Sequence, residues 1–529
     1  MNTPRSDRAV LVASIFIVGL CSIVYELLIS TTSSYFLGDS IKQFSITIGV
    51  YMAAMGLGSF LIRFLKGDTL NLFVKVELAL GVFGALSVPV LYLWFSTHGY
   101  DWFQTVMLSF VVVIGTLTGL EIPLLTRLLQ PHYEGEEALS NVLTLDYVGA
   151  LAATLLFPFI LLPFVGVFQS SIIFGIVNVL VAVYTLFHFR ENPKRKRFLV
   201  VAVSLLAALG LLLGLSAKLL DDWRGELFRD PIVFTETTPY QSLTMTRKGD
   251  DTRLYIDRVI QWSSTDEYRY HESLVHPAML SVKEPKRVLV LGGGEGLAIR
   301  EILRHPEVDS VTVVDIDPAI FNLARSQRQL LDLNARALYD PRVRSVPQDA
   351  FVFLSNATAQ YDVIIADLPD PTNDGVARLY SVEFFRLCRR LLRDGGAIAT
   401  QATGPFHTRK AFWSIGATIT EAFDESPHTA LLNRAPSVAP EANAPIPYHT
   451  YVASFGDWGF WLIPGNRGTN FRAPDFNPRY YSKAQFQVDG VFPKDMGPQE
   501  VDPNTLDQPR LLDYYLEDWR RLSGEKVVW

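Results

Sequence analysis

Two aspartates at the end of an apolar run are the residues in this chain best placed to meet a cation. In Tyr361-Asp-Val-Ile-Ile-Ala-Asp-Leu-Pro-Asp-Pro371, Asp367 and Asp370 follow the run Asp362–Ile365 directly. Ligands of open α/β sheets lie at the carboxyl ends of strands, so carboxylates there face whatever the sheet binds. The plainer reading of the segment is an Asx turn ahead of a proline. Upstream, Gly292-Gly-Gly-Glu-Gly296 follows the apolar run Arg287–Leu291 and precedes a helical stretch, Leu297–His305. Glycines at such a point let the backbone approach a ligand and leave helix N–H groups facing it. Asp315 ends the next apolar run, Val311–Asp315, where a carboxylate can accept hydrogen bonds from ribose hydroxyls. Glu295, set among the glycines, would repel a pyrophosphate and attract a sulfonium or an ammonium. The combination points to a nucleoside of the adenosylmethionine type rather than NAD.

Holding these residues together requires strands that alternate with helices. The runs Arg287–Leu291, Val311–Asp315, Arg344–Val346, Tyr361–Ala366 and Gly396–Thr400 read as buried parallel strands of a doubly wound sheet. The expected fold is a Rossmann-like α/β domain of the methyltransferase type. Short alternating runs at Ile232–Phe234, Ser242–Thr246 and Arg253–Ile256 predict a small antiparallel β element before it. Metal-ligand spacing is absent from the chain. His276, beside Pro277, reads as structural, and the proline-rich stretch Ala435–Pro447 reads as a loop.

The first half of the chain is a different material. Of the 529 residues 49% are hydrophobic and 19% charged, and the charge is concentrated after residue 220. About seven apolar stretches are each long enough to cross a bilayer: Ala9–Ile29, Phe44–Phe64, Leu72–Phe95, Phe103–Leu125, Val142–Leu162, Phe168–Phe187 and Phe198–Leu219. The first is too long for a signal peptide and is followed by further spans, so this half is expected to form an α-helical transmembrane bundle in the lipid bilayer. Glu26, Glu77, Glu121 and Asp146 interrupt the spans. They read either as a cation path or as helix-to-helix hydrogen bonding. Met55-Gly-Leu-Gly-Ser59 and Gly149-Ala150 read as close helix packing. Arg5, Arg8, Lys66, Arg127 and Lys194–Arg197 fall on one side, which is cytoplasmic by the positive-inside rule. An odd span count then puts the remainder outside, whereas nucleotide-type cofactors call for the inside. Cys21 and Cys388 read as buried thiols. A net charge of −7 gives no reason to expect nucleic acid as a partner. The organisation expected is a multi-span region over 1–225, a small β domain over 226–285, a Rossmann-like domain over 286–464 and a C-terminal extension over 465–529.

Taken in order, these residues resemble the spermidine synthase family of polyamine aminopropyltransferases. The resemblance runs from Thr238 to Pro464 through Tyr240-Gln241, Asp257–Gln261, Asp266-Glu267, Tyr270-His-Glu272, the glycine loop, Val314–Asp317, Gln348–Ala350, Asp367–Asp370, Leu379–Ser381, Glu383–Phe385, Gln401 and Tyr451. The apolar first half, with Asn504–Asp507 and Tyr514–Leu516, is similar to the membrane-fused bacterial branch. The resemblance implies Asp367 as catalytic base. It implies Gln241, Glu295, Asp315, Asp349 and Ala350 around the cofactor, and Tyr270, His271, Asp370, Gln401 and Tyr451 around the amine. It further implies decarboxylated S-adenosylmethionine as co-substrate with no permanently bound cofactor, putrescine as acceptor, a homodimer, and a multi-pass place in the inner membrane. Glu295 stands where the soluble enzymes have aspartate, Leu368-Pro369 where they are small and polar, and Asp374 where they commonly have a proline. The rival readings are an S-adenosylmethionine-dependent methyltransferase, which shares the sheet and glycine loop, and a polyamine transporter or sensor whose soluble part only binds.

Overall fold

A computed structural model of the chain describes residues 4–37, 40–99, 102–132, 137–189, 192–228, 230–238, 240–257, 259–424, 444–465 and 471–523. Two compact units divide it, Met1–Arg229 and Asp230–Trp529.

The first unit contains helices α1 (Pro4–Leu37), α2 (Ser40–Leu61), α3 (Thr69–His98), α4 (Phe103–Leu129), α5 (Glu137–Leu156), α6 (Val167–His188) and α7 (Arg195–Leu227). Among the described residues, seven helical spans are long and apolar enough to cross a membrane by length and composition. α5 continues as a π-wound segment, Phe157–Val165, where Pro158 and Pro163 bring no N–H to the regular ladder. Small residues set the closest seams, as bare backbone must where helices nearly touch. A Cβ on Gly58 would lie 2.1 Å from the Thr116 carbonyl oxygen, and one on Gly119 2.0 Å from that of Met55, so α2 and α4 meet backbone to backbone. Gly149 meets the Phe16 carbonyl of α1 in the same way. Gly56 does not: a Cβ there would touch nothing within 4 Å, because two residues turn a helix by about 200° and carry it to the opposite face. The packing expected of the Met55–Ser59 run belongs to Gly58, and to Ser59, whose hydroxyl donates to the Gly119 carbonyl at 2.8 Å.

The acidic residues of this unit fall into two groups. Glu77 is fully buried and accepts from Asn178 Nδ2 at 2.9 Å, while Asn178 Oδ1 accepts from the Tyr25 hydroxyl at 2.6 Å. Glu77 thus takes part in helix-to-helix hydrogen bonding across α1, α3 and α6. Glu121 on α4 is also buried, whereas Glu26 and Asp146 are half-buried.

In the second unit, β1 (Ile232–Thr237), β2 (Ser242–Lys248), β3 (Asp251–Ile256) and β4 (Val259–Ser263) form an antiparallel sheet in that order. Helix α8 (Glu267–Ser281) leads into the main fold. There β5 (Arg287–Gly292), α9 (Leu297–Leu303), β6 (Ser310–Asp315), α10 (Pro318–Ser326), α11 (Arg328–Leu333), β7 (Val343–Pro347), α12 (Ala350–Asn356) and β8 (Tyr361–Asp367) alternate. α13 (Asp374–Ala377), α14 (Val382–Leu391), β9 (Leu392–Gln401), α15 (Arg409–Phe423), β10 (Ile446–Val452), β11 (Gly456–Ile463), α16 (Lys483–Asp489) and α17 (Leu511–Ser523) complete it. The seven strands run β10-β11-β9-β8-β5-β6-β7, parallel from β9 to β7 and antiparallel at the β10–β11 hairpin. Apolar side chains alternate to the two faces. Val288, Val290 and Val313 join Leu274 of α8 and Ile320 of α10, while Leu289, Leu291 and Ile364 join Phe384 of α14 and Ile415 of α15. Both faces of the sheet are therefore covered, as continuous apolar strands require.

The hairpin corrects one expectation. Residues 435–443 of the stretch read as a loop lie outside the described residues, but Ile446 and Pro447 open β10. Among the described residues β10 pairs only with β11, and an edge strand tolerates a proline because its missing N–H faces away from the ladder. Both cysteines are buried and free.

Candidate active site

Topology brings the sequence candidates to one edge. From β5 the chain crosses to β6 on one side, and later to β8 on the other. This is the topological switch point at which open α/β sheets form a ligand crevice outside the carboxyl ends of the strands. The β5–β8 register sets Gly292 opposite Asp367. A Cβ on Gly292 would lie 2.0 Å from the Asp367 carbonyl oxygen, and the residue has φ +80°. Only glycine fits both demands.

One side of the crevice is a cradle of carboxylates around the glycine loop. Asp315 Oδ2 accepts the Gly294 N–H at 3.1 Å and Oδ1 accepts that of Asp317 at 3.1 Å. Burial, helped by the Glu295 charge, nevertheless raises the Asp315 carboxyl to about 7. Gln241, in the turn between β1 and β2, reaches the cradle through a neighbour: its Nε2 donates to Asp317 Oδ2 at 3.0 Å, beside the Thr238 hydroxyl at 2.7 Å. The small sheet is thereby tied to the start of α10. Asp349 caps α12 by accepting the Val352 N–H at 3.0 Å and forms an ion pair with Arg378, while Ala350 is buried behind it.

The other side is the acidic pocket. Tyr270 donates to Asp367 Oδ1 at 2.7 Å, its ring held among Phe455, Trp458 and Phe460. Burial raises the Asp367 carboxyl and the Glu295 charge raises it further; His271 and the Tyr270 hydrogen bond pull it back, to about 6. His271 Nδ1 donates to Glu267 Oε2 at 2.7 Å, and Nε2 faces Glu295 Oε1 at 3.7 Å. Burial alone would lower this imidazole, but its hydrogen bond to Glu267 and the facing Glu295 carboxylate lift it to about 10. Glu267 is fixed in turn by Arg300, at 2.9 and 3.0 Å.

Asp370 accepts the Tyr515 hydroxyl at 3.1 Å through Oδ2, and Oδ1 has no hydrogen-bond donor among the described residues. Burial raises its carboxyl to about 6, against the pull of the Tyr515 hydrogen bond and of the Gln401 amide, which lies nearby but directs its own hydrogen bonds elsewhere. Gln401 is fully buried: its Nε2 donates to the Leu368 carbonyl at 2.6 Å and also bonds the Tyr380 hydroxyl, while Oε1 accepts from the Thr403 N–H at 2.9 Å and Trp458 Nε1 at 3.2 Å. It therefore braces the Asp367–Asp370 turn. Tyr451 lies near the end of β10, at the same sheet edge, with its side chain 60% exposed.

Several members of this constellation were not legible as site residues. Tyr515, Tyr380 and Trp458 belong to it through contacts that span 21 to 145 positions along the chain. Asp266-Glu267, Leu379–Ser381 and Tyr514–Leu516 carried a signal, as family motifs without a role. Space also groups what spacing keeps apart. His271, Glu295 and Asp367 bring ligand-type atoms within 4.8 Å of one another, as do Glu272, His276 and Glu301. In the first group both ring nitrogens of His271 face carboxylates, Nδ1 that of Glu267 and Nε2 that of Glu295. In the second, Glu272 is spent on the backbone N–H groups of Arg479, Tyr480 and Tyr481, and Glu301 on Arg300 and Arg304.

Fold and site together define a Rossmann-like domain of the methyltransferase type, with Glu295, Asp367 and Asp370 at the same edge in addition to the carboxylate of Asp315. Residues 267–438 match the spermine/spermidine synthase domain. Polyamine aminopropyltransferase 2 of Ralstonia nicotianae is 41% identical over 524 residues, 97% of this chain and 98% of the relative. The polyamine aminopropyltransferase of Leptospira interrogans is 38% identical over 521 residues, 97% and 99% of the two chains. A crystal structure of spermidine synthase from Thermotoga maritima superposes with a TM-score of 0.43 at 21% identity, over 50% of this chain and 87% of that one. The chain belongs to the polyamine aminopropyltransferase family.

Proposed function

We propose that the second unit transfers the aminopropyl group of decarboxylated S-adenosylmethionine to an amine, putrescine first among them, yielding spermidine and methylthioadenosine. The observation that carries this reading is the pocket at the end of β8, where Asp367, tied to Tyr270, lies beside the glycine loop and Glu295. An alkylamine is protonated near neutral pH, its pKa being about 10. Asp367 takes that proton, and the freed nitrogen lone pair attacks the methylene carbon bound to the sulfonium. The C–S bond breaks with its electrons going to sulfur, so the leaving group is a neutral thioether. The product amine stays protonated, and the proton held by Asp367 passes to solvent. Glu295 faces the sulfonium, Asp315 the ribose, and Asp370 an ammonium of the acceptor. The His271 imidazolium keeps Asp367 ionised, and Glu267 and Glu295 offset its charge toward the cationic substrates. Alignment of two bound cations supplies much of the remaining acceleration. The apolar helices of the first unit are assigned to the cell membrane.

Methylthioadenosine release by detergent-purified protein, given decarboxylated S-adenosylmethionine with putrescine, cadaverine or spermidine, tests the reading. Release that depends on one amine is expected, with Asp367→Asn slower by about 100- to 10,000-fold, the usual worth of a general base. Equal release by Asp367→Asn and wild type would remove Asp367 from the chemistry.

A further inference from the structure

The C-terminal segment is fastened to the pocket by more than apolar burial. Asn504 donates through Nδ2 to the carbonyls of Ala377 and Tyr380, at 2.9 and 3.2 Å, and its Oδ1 accepts the Leu511 N–H at 3.2 Å. Asp518 accepts the Lys410 N–H at 2.7 Å, and Leu511 is fully buried. These ties hold α17 at its start and in its second half, and one side chain, Tyr515, reaches the turn after β8. Its hydroxyl is bonded to Asp370 Oδ2, and Oδ1 of the same carboxylate is buried with no donor among the described residues. A buried carboxylate oxygen without a donor is costly and marks a position that a ligand donor fills. The tyrosine and the orphan oxygen are complementary: occupying Oδ2 fixes the rotation of the carboxylate and presents Oδ1 alone.

We propose that Tyr515 is a positioning residue of the amine site, through which the C-terminal helix orients Asp370 so that Oδ1 is presented to an alkylammonium. The inference rests on the aminopropyl-transfer reading and adds to it a part of the chain outside the α/β sheet. Tyr514, one residue earlier, gives an internal control, because its hydroxyl lies 3.3 Å from Asp502 instead.

The test is steady-state kinetics of purified full-length protein, with putrescine and decarboxylated S-adenosylmethionine varied in turn while the other is saturating. Tyr515→Phe, which keeps the ring and the packing, is expected to raise the amine KM about 10-fold, in the range of a lost hydrogen bond to a charged group. The kcat and the KM of the sulfonium substrate should stay within about 3-fold. Tyr514→Phe should match wild type. In an Asp370→Asn background, Tyr515→Phe should add nothing further, since the two act on one interaction. An unchanged amine KM in Tyr515→Phe, or full additivity with Asp370→Asn, would overturn the inference while leaving aminopropyl transfer intact. Wild-type protein that releases no methylthioadenosine with any amine would overturn both.

Discussion

Asp367 is held near the middle of its useful range by opposed neighbours. Burial and the Glu295 charge raise it, His271 and Tyr270 lower it, and it comes to about 6. A base must be unprotonated before the amine arrives, so kcat/KM for putrescine should fall as pH drops through about 6, where Asp370 also titrates. The two carboxylates then act as a pair of overlapping steps. The sign of the Glu295 contribution can be tested. Glu295→Gln removes a negative charge that favours the protonated form of Asp367, so the acid limb should move to lower pH. A pH profile of kcat/KM in which the limb stays still, or moves upward, would contradict this account of the pocket. The atoms of Asp349 are committed to an N-cap and to Arg378, and that partner is visible only in space.

At the scale of elements, the β5–α9 connection is the part least able to change. Gly292 combines φ +80° with a Cβ position 2.0 Å from the backbone oxygen of Asp367. Gly292→Ala must strain the left-handed backbone, at about 1–3 kcal/mol, and also push β8 away from β5. Because the displaced atom belongs to Asp367, activity should fall by more than the loss of stability explains. Thermal melting and methylthioadenosine release measured on one preparation would show it. A variant with a lowered melting temperature and wild-type kcat would mean that the close approach serves packing alone. The same reasoning separates Gly58 from Gly56: one meets the α4 backbone and the other meets nothing. Both are glycines in an apolar run, so composition cannot tell them apart.

At the scale of the molecule, the apolar interior is divided. One core gathers residues no later than Leu220, and two others gather residues from Phe234 onward around the two faces of the sheet. Each unit therefore carries its own burial, the main source of folding free energy. A fragment covering Asp230–Trp529 is expected to fold without the first unit, melt cooperatively by circular dichroism and retain the 230–529 hydrogen-bond network around Asp367. A fragment that fails to melt cooperatively would show that the first unit supplies something the sheet cores lack.

What the sequence determined by itself was whatever short-range pattern controls. Long apolar runs made the first half helical and bilayer-length, because a span must satisfy its own backbone hydrogen bonds. Strand–loop–helix alternation placed the glycine loop, Asp315 and Asp367 at one edge, because parallel strands put every loop of one kind on the same side. The sequence did not reveal β10 beyond a proline-rich stretch, since only its edge position makes Pro447 harmless there. Nor did it reveal the fates of individual polar atoms. Gln401 is spent on bracing a turn, Gln241 reaches Asp317, and Tyr515 finds Asp370 across 145 residues. Tertiary structure alone decided these, because a hydrogen bond depends on distances of about 3 Å and on direction, and neither is encoded in the spacing of residues that far apart.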